Sequence, residues 1–129
     1  RVLFRSKRFH FNEEETTDNI KRDLEILVKK SNPNQTIYMF HCPPLSILDK
    51  TLLGTHIGSN AILEFIIEQQ PLLTLHGHAH DCVDTQNTHL FRIKNTLSAS
   101  ALKRTSSLSY LDINIGLNNE ININLNEYN

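Results

Sequence analysis

The chain has 129 residues, the size of about one domain, and 39% of them are hydrophobic, enough to form a core. Its formal net charge of −1 argues against the basic surface typical of nucleic-acid-binding domains, and no apolar run has the length of a membrane span. Two cysteines are too few for a disulfide framework. Composition therefore predicts a soluble domain with no membrane or nucleic-acid partner, and we expect it to be cytoplasmic.

The first six residues differ in origin from the rest, in our interpretation. The chain begins RVLFRS, without Met, and one back-translation of these residues resembles the constant end of a short-read sequencing adapter. We therefore expect residues 1–6 to be non-native. Residues 7–129 are then the C-terminal part of a larger domain, and any targeting signal would lie upstream.

The first half of the chain predicts a helix, a strand and a long loop. Residues 16–30, TTDNIKRDLEILVKK, have helical spacing, and Thr17 or Asp18 can cap them. The predicted apolar face comprises Ile20, Leu24, Leu27 and Val28. Residues 36–40, TIYMF, predict a short buried strand, and residues 41–59 predict a loop because prolines and glycines recur in them. Loops of this length inside a domain are usually functional.

The second half predicts one more helix, followed by strands. Ser59 is a suitable cap for NAILEFIIEQQ, which Pro71 helps to end. LLTLH predicts a short strand, and THLFRIK, NTLSASA and SYLDINIGLNNEININLNE are rich in β-formers. Apolar and polar residues alternate on both sides of Asn118–Asn119, which predicts a hairpin.

Histidines follow two of the predicted strands. His41 comes directly after TIYMF, and His76, His78 and His80 end or follow LLTLH. If the strands are parallel neighbours, their carboxyl ends meet at one edge of a sheet. In an extended segment, residues two apart point to the same side, so His78 and His80 could face one ligand. Gly77 permits a tight turn before them. Imidazole is a common ligand of zinc, manganese and iron. The alternative is that these histidines are ordinary polar groups at strand ends.

FHCPPLSILDKTLLGTHIGSNAILEFI, followed by PLLTLHGHAH, resembles the C-terminal half of a calcineurin-like metallophosphoesterase, similar to small bacterial and archaeal phosphoesterases related to cyclic-nucleotide phosphodiesterases. The likeness covers residues 12–115. The family pattern consists of Asp-x-His, Gly-Asp, Gly-Asn-His, a lone His and Gly-His-x-His, and only the last two blocks occur here. The resemblance implies an α/β fold, a four-layer sandwich of two mixed sheets with outer helices, of which this chain is half.

The resemblance also implies a dinuclear centre holding two divalent ions, Mn, Fe or Zn. His41 and His78 would bind one ion and His80 the other, while the bridging Asp and the acid/base His would lie in the missing blocks. The implied reaction is hydrolysis of a phosphate ester, a small molecule or a nucleotide, by metal-activated hydroxide. Because the carboxylates are absent, we expect this chain alone to bind metal weakly and to have little or no activity.

Several further residues have more than one interpretation. His56, Gly58 and Ser59 precede a predicted helix, where they could bind the substrate phosphate or simply form its cap. His76 is interpreted as structural or as orienting a neighbouring ligand. Asp49 either supports a neighbouring site residue or is an ordinary turn residue of the loop. We expect reduced thiols at the two cysteines, turn positions at Asp81 and Asp84, and surface positions at His10 and His89.

Two other functions remain open from the sequence. The chain could be a scaffold or regulatory module that retains the histidines without catalysis. It could instead hold a single zinc ion through His41, His78 and His80, as in three-His zinc enzymes. Residues 81–104 contain neither the glycine nor the Asn-Pro-Gly stretch that relatives commonly carry there. The sequence therefore leaves the substrate, the metals and the oligomeric state undetermined.

Overall fold

A five-stranded sheet organises the chain. The computed structural model describes residues 2–3, 13–104 and 107–128, with side chains for 17–104 and 107–128. The strands are β1 (Val2–Leu3), β2 (Ile37–Phe40), β3 (Leu73–His76), β4 (Leu90–Ile93) and β5 (Thr96–Ala99), in the spatial order β1-β2-β3-β5-β4. All neighbours pair in parallel except β4, which is antiparallel to β5. The α/β class is confirmed, with parallel and antiparallel strands in one sheet.

The long N-terminal helix begins earlier than the sequence pattern predicts. Helix α1 spans Glu13–Val28, so Thr17 and Asp18 lie inside it and the predicted cap at either residue is wrong. Its first turn includes three consecutive glutamates, residues 13–15. The predicted apolar face is confirmed. Leu24 is buried in the core, and the other three residues of the predicted face are partly buried against it: Ile20, Leu27 and Val28.

A one-turn 3-10 helix, Pro33–Gln35, leads into β2, and helix α2 spans Asn60–Gln69. The predicted cap of α2 is confirmed, because the Ser59 hydroxyl accepts a hydrogen bond from the Ile62 N–H at 3.4 Å. The helix ends where Gln70 adopts a left-handed φ of 49°, just before Pro71. A short helix α3, Cys82–Gln86, was not predicted because five residues are too few to show a helical repeat.

The last two strands form the predicted hairpin. Strands β6 (Leu108–Ile115) and β7 (Ile121–Tyr128) pair antiparallel, with Ile113 opposite Ile123. Asn119 has a φ of 59° in the connecting turn, a conformation that Asn tolerates better than most residues. The hairpin is a second sheet of two strands.

The two faces of the five-stranded sheet pack against different partners. Side chains alternate between faces along a strand. On one face Tyr38 packs with Leu24 of α1 and with Phe65 and Ile66 of α2. On the other face the core consists of Leu73, Leu97, Ala99 and Ile123, the last of which belongs to the hairpin. Helices therefore cover one face of the sheet and the hairpin covers the other.

Candidate functional site

The predicted convergence of histidines at one sheet edge is confirmed for two of them. Strands β2 and β3 are parallel neighbours with Phe40 paired to His76, so His41 and the residues after His76 emerge side by side. The Gly77 N–H donates to the His41 carbonyl at 3.2 Å. Beyond it, Nδ1 of His78 lies 3.0 Å from Nε2 of His41, with the ring centroids 4.8 Å apart. Both side chains are exposed, so a ligand can reach them.

The segment that carries His78 is a turn and is not extended. His78 has a φ of 67°, whereas Gly77 does not adopt a positive φ. The Ala79 N–H donates to the Gly77 carbonyl at 2.8 Å, and the Cys82 N–H donates to the Ala79 carbonyl. The chain therefore makes the predicted tight turn here, but Gly77 is not its left-handed residue. The left-handed residue is His78, and this backbone, rather than strand alternation, directs its ring toward His41.

The spacing of the two ring nitrogens is that of a direct hydrogen bond between the imidazoles, and it is also compatible with a shared metal ion. Zinc–imidazole bonds of about 2.0–2.1 Å place two nitrogens about 2.9 Å apart at a right angle and about 3.3 Å apart in a tetrahedron, close to the 3.0 Å between His41 and His78. The pKa of His78 is lowered, first by burial and then by the neighbouring His41 and His80. The neutral imidazole that metal binding requires is therefore favoured.

His80 does not complete a site with this pair. Its side chain is exposed, and its influence on the pKa of His78 shows that it lies nearby. Among residues 17–104 and 107–128, no group of three or more His, Cys, Asp or Glu side chains has the arrangement of a metal site. The described residues thus bring together two of the three predicted ligands, and the roles of all three remain predictions.

A second cluster lies in the loop between β2 and α2. Asp49 is completely buried, and its Oδ1 lies 2.6 Å from Nδ1 of His56, whose side chain is 42% exposed. The other carboxylate oxygen, Oδ2, accepts from the Ser46 N–H at 2.9 Å and from the Gly58 N–H at 3.0 Å. Asp49 therefore supports a neighbouring histidine, one of its two interpretations from the sequence. Asp49 and His56 are seven residues apart in an irregular loop, so no sequence pattern predicts that their side chains meet.

The backbone N–H groups of Gly58 and Ser59 have acceptors within the protein. Gly58 donates to Asp49, and Ser59 donates to the Pro43 carbonyl at 2.8 Å. A Cβ added at Gly58 would lie 2.4 Å from the Pro44 carbonyl oxygen, so the glycine is needed for a close approach of two backbone segments. The substrate-binding role of His56, Gly58 and Ser59 remains a prediction, in which His56 offers the most accessible polar group.

Helix α3 ties this loop to the segment after the histidine turn. The Gln86 side-chain oxygen accepts from the Asp49 N–H at 2.9 Å and from the Lys50 N–H at 3.2 Å. The Thr85 hydroxyl donates to the Lys50 carbonyl at 2.7 Å. These bonds connect the loop that carries His56 to the segment that follows His80.

No family model, curated protein or solved structure matches the chain. The interpretation of the site therefore depends on the geometry of its own residues. In the part of the chain that the structure describes, no helix is long and apolar enough to cross a membrane.

His76 lies apart from the exposed pair and is buried. Its Nε2 is 3.1 Å from the Ser98 hydroxyl, which in turn accepts from the Thr74 hydroxyl at 2.9 Å. Its Nδ1 is buried without a hydrogen-bond partner. Burial lowers the pKa of His76 to about 4, although the charge of Asp49 opposes the shift. His76 is therefore neutral near pH 7, as its structural interpretation requires.

The remaining predicted residues have ordinary environments. Burial raises the pKa of Cys42 to about 11 and also raises that of Cys82, so both thiols stay protonated at neutral pH, and neither forms a disulfide. His89 is partly exposed, with Nε2 3.3 Å from the Ile123 carbonyl, so its predicted surface position holds in part. Asp81 lies in the turn that directly precedes α3, as predicted, whereas Asp84 lies inside the helix, so its predicted turn position is wrong. His10 is outside the described residues.

Proposed function

We propose that this chain supplies histidine ligands to a metal centre that hydrolyses phosphate esters, as its resemblance to calcineurin-like metallophosphoesterases implies. The observation that supports this most is the 3.0 Å separation of the His41 and His78 ring nitrogens at the carboxyl ends of adjacent parallel strands. A non-glycine residue with positive φ is costly, and such residues concentrate at functional sites. Seven non-glycine residues among those described have a positive φ, and His78 is the one whose ring meets His41.

In this proposal His41 and His78 hold one divalent ion and His80 contributes to a second. When bound, the ions polarise the phosphoryl oxygens and activate water for attack. His56 meets the substrate, while Gly58 and Ser59 shape the loop around it through their internal hydrogen bonds. The four-layer sandwich belongs to the same proposal. A sheet with helices on one face and a hairpin on the other is compatible with half of such an arrangement.

Metal titration of this chain tests the proposal. We expect Mn²⁺ or Zn²⁺ to bind weakly in calorimetry, and His41→Ala or His78→Asn to weaken binding about tenfold or more by removing a ligand. His89→Gln is the matched control, since its amide can still donate to the Ile123 carbonyl, and it should bind like the wild type. Equal metal affinity in wild type and His41→Ala would contradict the proposal.

The same titration separates the alternatives. One zinc ion bound stoichiometrically and lost in His80→Asn would favour the three-His mononuclear site. No metal binding by the wild type would favour a scaffold that retains the histidines.

We also expect the isolated chain to hydrolyse bis(4-nitrophenyl) phosphate at a negligible rate with Mn²⁺. Turnover at a rate typical of intact metallophosphoesterases would show that the absent carboxylates are not required.

A further inference from the structure

We propose that the free edge of strand β6 pairs with the same edge of a second copy of this chain, so that two hairpins form one four-stranded sheet in a symmetric dimer. This inference is independent of the proposed metal centre. It starts from the hairpin, which holds five of the ten large hydrophobic side chains that are exposed among the described residues. They are Leu108, Tyr110, Ile115, Leu117 and Tyr128. Exposed apolar surface concentrated in one element is typical of an interaction site.

The hydrogen bonds of the hairpin show which backbone groups of β6 point outward. The Gly116 N–H donates to the Glu120 carbonyl at 2.8 Å, so this residue pair, next to Ile115–Ile121, is hydrogen-bonded. In antiparallel strands, hydrogen-bonded and non-hydrogen-bonded pairs alternate. The residues of β6 whose N–H and C=O groups point away from β7 are therefore Ser109, Leu111, Ile113 and Ile115. Among the described residues no third strand joins the hairpin, so no strand covers this edge.

The outer edge of β7 is occupied in part, whereas that of β6 has none of the usual protection. Ile123, opposite Ile113, directs its carbonyl outward by the same alternation, and this carbonyl accepts from the His89 ring at 3.3 Å. Natural edge strands are commonly protected by Lys, Pro or a bulge. Strand β6 contains no Lys, Arg or Pro, and eight consecutive residue pairs join it to β7 without a bulge. Such an edge is a template for another strand.

The charge on β6 favours a second copy as the occupant and selects the register. Strand β6 contains one charged residue, Asp112. Two antiparallel copies overlap most fully when the two-fold axis passes through Leu111 or Asp112, the central residues of the strand. An axis at Asp112 would place two carboxylates directly opposite, which is destabilising. An axis at Leu111 places Asp112 opposite the uncharged Tyr110 of the other copy, so no like charges meet.

This register also adds to the buried apolar surface and closes the assembly. Leu111 and Ile113 are partly buried on the face of the hairpin that packs against the five-stranded sheet. In the dimer Leu111 meets its own copy at the axis, and Ile113 lies opposite Ser109. Four paired strands are more stable than a two-stranded hairpin. The two-fold pairing uses both β6 edges, so it ends at a dimer and does not continue into a filament.

Sedimentation of the chain in EDTA tests the proposal, because no metal ion can then bridge two copies. Between about 1 µM and 1 mM, the range of weak association, the wild type should pass from monomer to dimer. Tyr110→Glu creates two symmetric pairs of like charges with Asp112 and should weaken the dimer about tenfold or more. Tyr110→Lys is the matched control, since it removes the same ring but places the opposite charge beside Asp112. It should dimerise about tenfold more tightly than Tyr110→Glu.

Amide hydrogen exchange of the wild type locates the interface without any substitution. Protection of the Leu111 and Ile113 N–H groups should increase with protein concentration, whereas the outward N–H groups of Ile121 and Leu125 on β7 should not respond. If a Tyr110 variant does not fold, this measurement still decides the proposal. A wild type that stays monomeric at the highest concentration would overturn it and leave the β6 edge to a different partner. Equal dimer affinity of the two Tyr110 variants, or protection confined to β7, would also overturn it.

Discussion

At the scale of single residues, His78 combines an exposed side chain, a left-handed backbone and a close contact with His41. Its left-handed backbone, with a φ of 67°, costs a β-carbon-bearing residue about 1–2 kcal/mol relative to a right-handed one. Gly77 next to it could adopt that conformation without the cost but does not. The chain therefore places the strain on the residue whose ring meets His41, which is the expected pattern if the ring position matters more than local stability.

This argument predicts that replacing His78 with Asn does not destabilise the protein. Asn tolerates the left-handed region better than most residues, so His78→Asn should match or exceed the wild-type free energy of unfolding by up to about 1 kcal/mol. His80→Asn, at a neighbouring exposed position without positive φ, should bring no gain. Urea denaturation in EDTA measures both. A loss above about 1 kcal/mol in His78→Asn would mean that the fold itself needs this imidazole.

His76 gives the stability a pH dependence. Its folded pKa of about 4 lies below the unfolded value near 6.5, so only the unfolded chain takes up a proton between these values. Stability should therefore be constant above about pH 6.5, decrease as the pH falls toward 4, and level off below it. The full effect is about 3 kcal/mol, since one pKa unit corresponds to about 1.4 kcal/mol.

The measurement is urea denaturation between pH 4 and 7.5 in EDTA, comparing wild type with His76→Gln. Gln can keep the hydrogen bond to the Ser98 hydroxyl but does not titrate in this range. The difference between the two curves isolates the contribution of His76. Parallel curves would show that His76 titrates normally in the folded state.

At the scale of elements, periodic segments were predictable and irregular ones were not. Helix α2 and its Ser59 cap were predicted from spacing and residue type, because a cap needs one suitable side chain at one position. The start of α1 was not predicted, because three glutamates before Thr16 can belong to a helix as readily as they can precede one. The interior of the loop was also unpredictable, because its contacts depend on its path and not on a repeat.

Within that loop, Gly58 should tolerate no side chain. An added Cβ would lie 2.4 Å from the Pro44 carbonyl oxygen and 2.7 Å from Cα of Leu45, both backbone atoms that cannot rotate away. Gly58→Ala should therefore destabilise the protein by about 2 kcal/mol or more. Gly77→Ala is the matched control, because its added Cβ would meet atoms no closer than 3.7 Å.

Thermal or urea unfolding of the two alanine variants tests this contrast. We expect Gly77→Ala to change the free energy of unfolding by less than about 1 kcal/mol. Equal effects would indicate that the loop backbone can separate from Pro44, and the loop would then be less rigid than its hydrogen bonds suggest.

At the scale of the whole molecule, the sheet determines which distant residues meet. His41 and His78 are 37 residues apart, yet the rule that parallel strands end at one edge predicted their proximity before the register of β2 and β3 was known. The Asp49–His56 pair lies outside such rules, because no strand or helix register relates the two residues. The hairpin was predictable from alternation alone, but its place on the second face of the sheet depends on long-range packing.

The contacts of α3 have a dynamic consequence. Gln86 and Thr85 hold the Asp49–Lys50 backbone through three hydrogen bonds, so this part of the loop cannot detach without breaking them. Segments linked in this way open as one cooperative unit rather than fraying independently. The loop that carries His56 and the segment after His80 should therefore form and dissolve together, with a common opening rate for both parts of the site.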